Sequence, residues 1–354
     1  MSNKRFPQSR VKMRAPKRKM KKRIKFFLVT LLIAFIAVAS YGTHLYLKAD
    51  SAMTGAYEED ERESGKSELR DEVVDPKFDN VTVLMMGIDQ SEKREMRYGE
   101  KSRTDALILA TLNREEKSVK LLSIPRDSYV YIPEVGRYDK INHAHAFGST
   151  KAIIDAVENL LDIPVDYYVK LNFHAFVDVI DAIGGVEVDV PYEFTESDSN
   201  DKRDSIHLYE GRQVLNGEEA LAFARTRKMD NDIERGKRQL EIIDSVINKA
   251  TSVSSLFKYD EIIEAVGNNM ATNMTFAEMR SFFHYATEGS NLNVERFTLE
   301  GSDYQPDGIY YYQLDEIALV ETIQTLKEHL ELPIMDDIED MNYLEQRQTA
   351  DPEY

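Results

Sequence analysis

Five arginines stand where apolar runs begin or end, which is where side chains can be gathered into a site. Arg103 and Asp105 flank Thr104 ahead of one apolar run, and Arg126 lies in Ser123-Ile124-Pro125-Arg126-Asp127 at the end of another. Arg225 and Arg227 follow Leu221-Ala222-Phe223-Ala224, and Arg235 comes soon after Asp232. Gln239 is four residues beyond Arg235 and so shares its helix face. Guanidinium is a planar fork for phosphate oxygens and stays charged at any working pH. Asp89, after the first apolar run, and Asp105 offer the hard oxygen ligands that Mg²⁺ prefers. Cations and a metal around phosphate read as phosphoryl transfer. Any one of these arginines more often pairs with a surface carboxylate; the set carries the reading.

Other chemistries are excluded or poorly supported. The chain has 354 residues and no cysteine, so disulfides, thiolate metal sites and a cysteine nucleophile are absent. There is no G-x-S-x-G and no H-E-x-x-H. Gly65-Lys66-Ser67 imitates the end of a P-loop, but position 60 is Asp and the surroundings are acidic. His143 and His145 are spaced as metal ligands could be, and surface or core histidines explain them as well.

The elements that must position these residues follow from periodicity. Apolar runs at 81–86, 105–112 and 118–124 read as strands, the last two joined as a hairpin. Helical spacing over 150–161 ends before Pro164, and 165–171 reads as a strand. Asn172 can cap a helix closed by Gly184-Gly185, with a strand at 186–190. Asn216 and Glu219 are spaced as a capping box, and Thr275 with Glu278 opens another helix. Helices are expected at 233–250 and 313–330, and a strand at 294–299. Strands and helices alternate without a regular βαβ period. The expected fold class is α/β, a mixed central sheet with helices on both faces.

Charge divides the chain further. Overall it is −18, yet residues 1–25 hold twelve Lys/Arg and no Asp/Glu, leaving −30 for residues 51–354. So acidic a body argues against nucleic acid as a partner. Residues 26–47 are uncharged and long enough to span a bilayer as one transmembrane helix. The basic tip 1–25 predicts a cytoplasmic N-terminus, which puts the rest outside the cell membrane. Residues 48–79 read as an acidic extracellular linker: 58–75 carries nine acidic and three basic residues. A globular domain over 80–334 precedes an acidic tail, 335–354.

Several motifs in order carry a resemblance: GID after the first strand, SRTDALIL, LLSIPRD, KINHAHAFG, DAIGGVEVDVP, LNGEEALAFARTRK and DIERGKRQ. The sequence resembles the LytR–CpsA–Psr family of Gram-positive cell-envelope proteins, and within it the members that attach wall teichoic acid to peptidoglycan. The resemblance implies a phosphotransferase that moves a glycopolymer from a polyisoprenyl pyrophosphate carrier to a peptidoglycan sugar hydroxyl. Asp89 and Asp105 would then hold Mg²⁺ at the pyrophosphate. Arg103, Arg126, Arg225, Arg227 and Arg235 would hold its oxygens with help from Gln239. Lys140 and Asn142 would lie nearby, and Asp232 would orient an arginine or take a proton. A charged stretch between Asp89 and Arg103 departs from the pattern. A non-catalytic envelope scaffold and a transcriptional attenuator are the competing readings.

Overall fold

The computed structural model describes residues 22–62, 64–88, 104–250, 270–287 and 292–334. The basic tip up to 21, the 91–101 stretch and the acidic tail from 335 lie outside the described residues. The chain divides into two units, 1–47 and 48–354. Helix α1 runs Lys22–Ala56. Among the described residues no helix is long and apolar enough to cross a membrane, and several side chains between 21 and 38 lie outside them.

The second unit is built on β1 (Val81–Ile88), β2 (Thr104–Asn113), β3 (Ser118–Ser123), a hairpin of β4 (Tyr129–Ile132) and β5 (Arg137–Lys140), and α2 (Ala144–Leu161). Then come β6 (Tyr167–Asn172), α3 (Phe173–Ala182), β7 (Val186–Val190), β8 (Phe194–Glu196), β9 (Ile206–Leu208), β10 (Gly211–Leu215), α4 (Gly217–Arg225) and α5 (Asp232–Ala250). The described remainder is β11 (Met270–Thr272), α6 (Phe276–Thr287), β12 (Asn293–Thr298), β13 (Gly301–Tyr304), β14 (Tyr311–Leu314) and α7 (Glu316–Leu330).

Six strands form one sheet in the order β11-β6-β1-β2-β3-β12. Pairing is mixed: β1 runs antiparallel to β2 and parallel to β6, and β12 runs parallel to β3. Alternation along each strand sends side chains to opposite faces. Leu84, Met86, Leu107, Leu109 and Leu122 pack beneath α2 and α7 through Ile153, Val157, Ile323 and Leu326. Val83, Ile108, Ala110 and Leu121 pack on the other face against Leu240 of α5 and Met274, with Phe282 of α6 beside them. The mixed sheet with helices on both faces is thus present. A third cluster joins α3, α4 and the β7–β10 pair around Ile180, Val188 and Phe223.

The short-range signals are realised. Asn172 Oδ1 accepts from Ala175 N at 2.8 Å, and Asn216 and Glu219 form the reciprocal capping box. Glu278 Oε2 accepts from Thr275 N at 2.7 Å. Two expectations are corrected. The helix expected over 313–330 begins only at Glu316, capped by Asp315, because Tyr311–Leu314 pairs with β13 as a strand. Nor is the linker expected over 48–79 extended: 48–56 are the end of α1, and Tyr57 bridges to Thr272. Arg62 is buried, donating to Val165 O at 2.8 Å and pairing with Asp60 and Glu158. Arg70 pairs with Asp166 at 2.8 Å, and Asp166 Oδ2 also accepts from Thr82 N at 2.9 Å. Carboxylates that look solvated in sequence neutralise these two arginines against the start of β1 and β6. The network stands at the edge of the sheet opposite Ile88 and Asn172.

Candidate active site

One edge of the sheet collects the C-terminal ends of β1, β3, β6 and β12 and the start of β2, as their pairing requires. Asp105 lies on β2 at this edge. Arg126 follows β3 in a turn closed by Ser128 N to Pro125 O at 3.0 Å. Helix α5 reaches the same edge because Gly236 leaves room: a Cβ there would stand 2.5 Å from Ser123 Oγ. Arg235 is its neighbour and is delivered with it.

Arg126 is the hub of a connected cluster. It bonds Asp105, and its Nε lies 3.5 Å from Asp127 and 3.7 Å from Asp232. Asp232 Oδ1 also receives Arg235 at 3.2 Å and Arg227 at 3.3 Å. Lys140 Nζ reaches Asp127 Oδ1 at 2.9 Å, and Asn142 N donates to Arg126 O at 3.1 Å. Four cations from separate stretches therefore meet around three carboxylates.

Two of the expected residues have their own partners beside this connected cluster. Arg225 is the last residue of α4, its guanidinium 4.6 Å from the Phe173 ring centroid and 3.8 Å from Asp201. Gln239 donates to Ala224 O at 3.2 Å, so it fastens α5 to the end of α4. Asp89 and Arg103 lie outside the described residues. Sequence reasoning missed Asp127 as a site residue, although its place next to Arg126 at a strand end was visible. Arg238 is buried and structural, donating to Phe223 O at 3.0 Å.

The electrostatics are those of a site built to receive an anion. Among the described residues Arg126 Nε, Arg225 Nη1 and Arg235 Nε are buried with no hydrogen-bond partner. A buried donor left unmade costs about 1–3 kcal/mol, so such groups call for an acceptor. Burial pushes the Arg235 guanidinium down to about 10; Asp232 resists that, while the charge on Arg126 adds to it. It remains cationic at neutral pH. Burial would also lower Arg126, but Asp105, Asp232 and Asp127 outweigh it and hold the group above its ordinary value. Burial raises the Asp232 carboxyl, and Arg235 only partly offsets it. Its neighbour Asp127 is held below the usual range: burial is outweighed by contacts with Asp232 and Lys140. The pair thus divides into one carboxylate that keeps its charge and one pushed towards neutrality.

The LytR_cpsA_psr family model matches residues 43–328. The chain belongs to the LytR–CpsA–Psr family. The polyisoprenyl-teichoic acid–peptidoglycan teichoic acid transferase TagT of Bacillus subtilis is 39% identical over 324 residues, covering 91% of this chain and 99% of the relative. A structure of TagT bound to LIIa-WTA superposes with a TM-score of 0.63 at 40% identity, covering 75% of this chain and 97% of that one. Another, TagT with bound octaprenyl pyrophosphate lipid, gives 0.59 at 37% identity, again covering 75% and 97%.

Proposed function

We propose that the protein transfers a teichoic-acid glycopolymer from a polyisoprenyl pyrophosphate carrier to a sugar hydroxyl of peptidoglycan. The observation that carries this reading is the convergence of Arg126, Arg227, Arg235 and Lys140 at one sheet edge, with buried guanidinium N–H groups left over. Relatives of the same family, nearly equal in length, bear the transferase name, and one binds a polyprenyl pyrophosphate.

In the reaction, the acceptor oxygen forms a bond to the phosphorus that carries the glycopolymer. The bond from that phosphorus to the bridging oxygen breaks, and polyprenyl phosphate departs with the electron pair. Arg126, Arg227 and Arg235 bind the phosphate oxygens where negative charge grows, and they need no reorganisation to do so. The acceptor proton passes to a carboxylate of the Asp127–Asp232 pair. Asp232, tied to both Arg227 and Arg235, also fixes their planes. Arg225 and Gln239 steady the end of α4 beside the cluster. Arg103 extends the cationic set in this proposal.

Asp105, partly exposed and bearing hard oxygens, fits Mg²⁺ by donor chemistry, and Asp89 would complete its ligand pair. A bound Mg²⁺ would neutralise pyrophosphate charge. The apolar helix α1 exposes Phe26, Ile33 and Phe35 along its first unit. We assign residues 26–47 to a single membrane span, with the basic tip cytoplasmic and the catalytic domain outside.

The test is reconstitution of the full-length protein with a lipid-linked glycopolymer and peptidoglycan. Wild type should release polyprenyl phosphate and label the wall. Asp105→Ala, or a chelator, should abolish most turnover with the fold retained. Undiminished transfer under chelation removes the metal role. Carrier binding with no transfer overturns the enzyme in favour of a scaffold.

A further inference from the structure

Two hairpins far apart in sequence bring a group of aromatic rings together beside the arginine cluster. β4–β5 contributes Tyr129 and Tyr138, and β13–β14 contributes Tyr304 and Tyr311. The Tyr129 ring centroid lies 5.2 Å from that of Tyr138, 5.5 Å from Tyr304 and 4.8 Å from Tyr311. A bridge between Ser128 and Tyr312, with Tyr312 N donating to Asp127 O at 2.9 Å, locks the hairpins to each other. Tyr304 is 39% exposed and Tyr310 37%, so the wall meets solvent. A cavity of about 280 Å³ opens against Tyr129 and Tyr138, where Asn159, Gln313 and Glu316 add polar groups.

The wall is continuous with the phosphate site. Lys140, bonded to Asp127, holds its ammonium 5.7 Å from the ring centroids of both Tyr310 and Tyr311. One side chain thus belongs to both features. Tyrosine offers a flat apolar face and a polar rim. A pyranose ring has the complementary form, a face of C–H bonds with hydroxyls around its edge.

We infer that this tyrosine wall is a saccharide subsite that binds the glycan strand of the acceptor and leads one sugar hydroxyl past Lys140 to the arginine cluster. The identity of the glycan rests on the transferase reading above. Charge favours the acceptor over the donor polymer. Asp303 and Glu316 lie beside the wall, and the Tyr310 hydroxyl donates to Asp303 Oδ1 at 3.0 Å, while Asp139 is paired with Arg137 and His143. A phosphate-linked chain would be repelled by these carboxylates, whereas sugar hydroxyls can donate to them. An isoprenoid chain on the same surface would desolvate phenols and carboxylates without replacing their bonds.

The experiment is calorimetric titration of the full-length protein in detergent with a soluble peptidoglycan glycan tetrasaccharide. Tyr304→Ala removes an exposed ring and leaves the core untouched; Tyr304→Phe keeps the stacking face. We expect Tyr304→Ala to weaken tetrasaccharide binding about tenfold. Tyr304→Phe should restore most of it, and the KM for the lipid-linked donor should stay unchanged. Tyr311→Leu should act in the same direction. Equal tetrasaccharide affinity in wild type and Tyr304→Ala overturns the inference while leaving the transferase reading standing. So does a defect confined to binding of phosphatidylglycerol vesicles, which would make the wall a membrane contact. Ring-dependent tetrasaccharide binding in a protein that transfers nothing would preserve the subsite and refute the transferase reading.

Discussion

At the scale of single residues, the cluster works by geometry as much as by charge. Among the described residues Arg227 is the most exposed arginine of the cluster, and its guanidinium bonds Asp232 at 3.3 Å. Arg227→Lys preserves the charge and loses the fork. Transfer should fall about a hundredfold, the equivalent of about 3 kcal/mol of transition-state stabilisation. The melting temperature should barely move, since an exposed side chain contributes little packing. A steady-state rate measurement with lipid-linked donor checks both halves, and wild-type turnover in Arg227→Lys would deny this side chain a role in the transition state. The arginines themselves were legible in the sequence because guanidinium chemistry is specific and their positions at element ends could be counted. Asp127 was not, because its importance comes from Asp232, which joins it only through the fold. Arg225 and Gln239 were legible as neighbours of the site. Their actual partners, Phe173 and the Ala224 carbonyl, depend on how α4 and α5 meet.

Elements are held to the sheet by polar contacts that sequence patterning conceals. Arg62 fixes the 57–80 segment through Asp60, Glu158 and the Val165 carbonyl. Arg62→Ala leaves buried carboxylates without their cation and should cost about 3 kcal/mol, measured by denaturant unfolding. Limited proteolysis should then cut within 57–80 first. Unchanged stability would return that segment to the role of a passive linker. Helix α7 is pinned differently. The His329 ring nitrogens lie 2.7 Å from Thr111 Oγ1 and 2.8 Å from Ser118 Oγ, and Asn113 donates to its carbonyl at 2.8 Å. Burial, aided by the Lys120 charge, lowers this histidine from its usual 6.5. A lowered imidazole favours the neutral ring. Its contribution is complete above about 6.5 and is lost as pH falls from there through the folded value. Thermal melts should therefore show stability declining below that pH, with a shallower decline in His329→Gln; identical profiles would assign the decline to other groups. Capping boxes and strand alternation were readable because their spacings are only three and two residues. The acidic segment was misread because Arg62 takes partners from Glu158 and Val165, far along the chain, and β14 because its pairing with β13 overrides the helical spacing.

On the scale of the whole molecule, charge and apolar length predict a compartment for the protein. Twelve cations before residue 26, followed by the uncharged run 26–47, predict an N-terminus inside and the domain outside. Protease added to wall-stripped cells should digest epitopes placed after residue 48 and spare one placed at the N-terminus. Protection of residues 80–330 alongside digestion of a known outer marker would reverse this orientation. The two ionic networks sit at opposite ends of β1, whose eight residues separate them by about 25 Å. Substitutions that far apart combine additively. Extra stability engineered around Arg62 would therefore act as a reserve. It would let the arginine edge accept changes of residue, and hence of polymer preference, that would unfold a less robust ancestor.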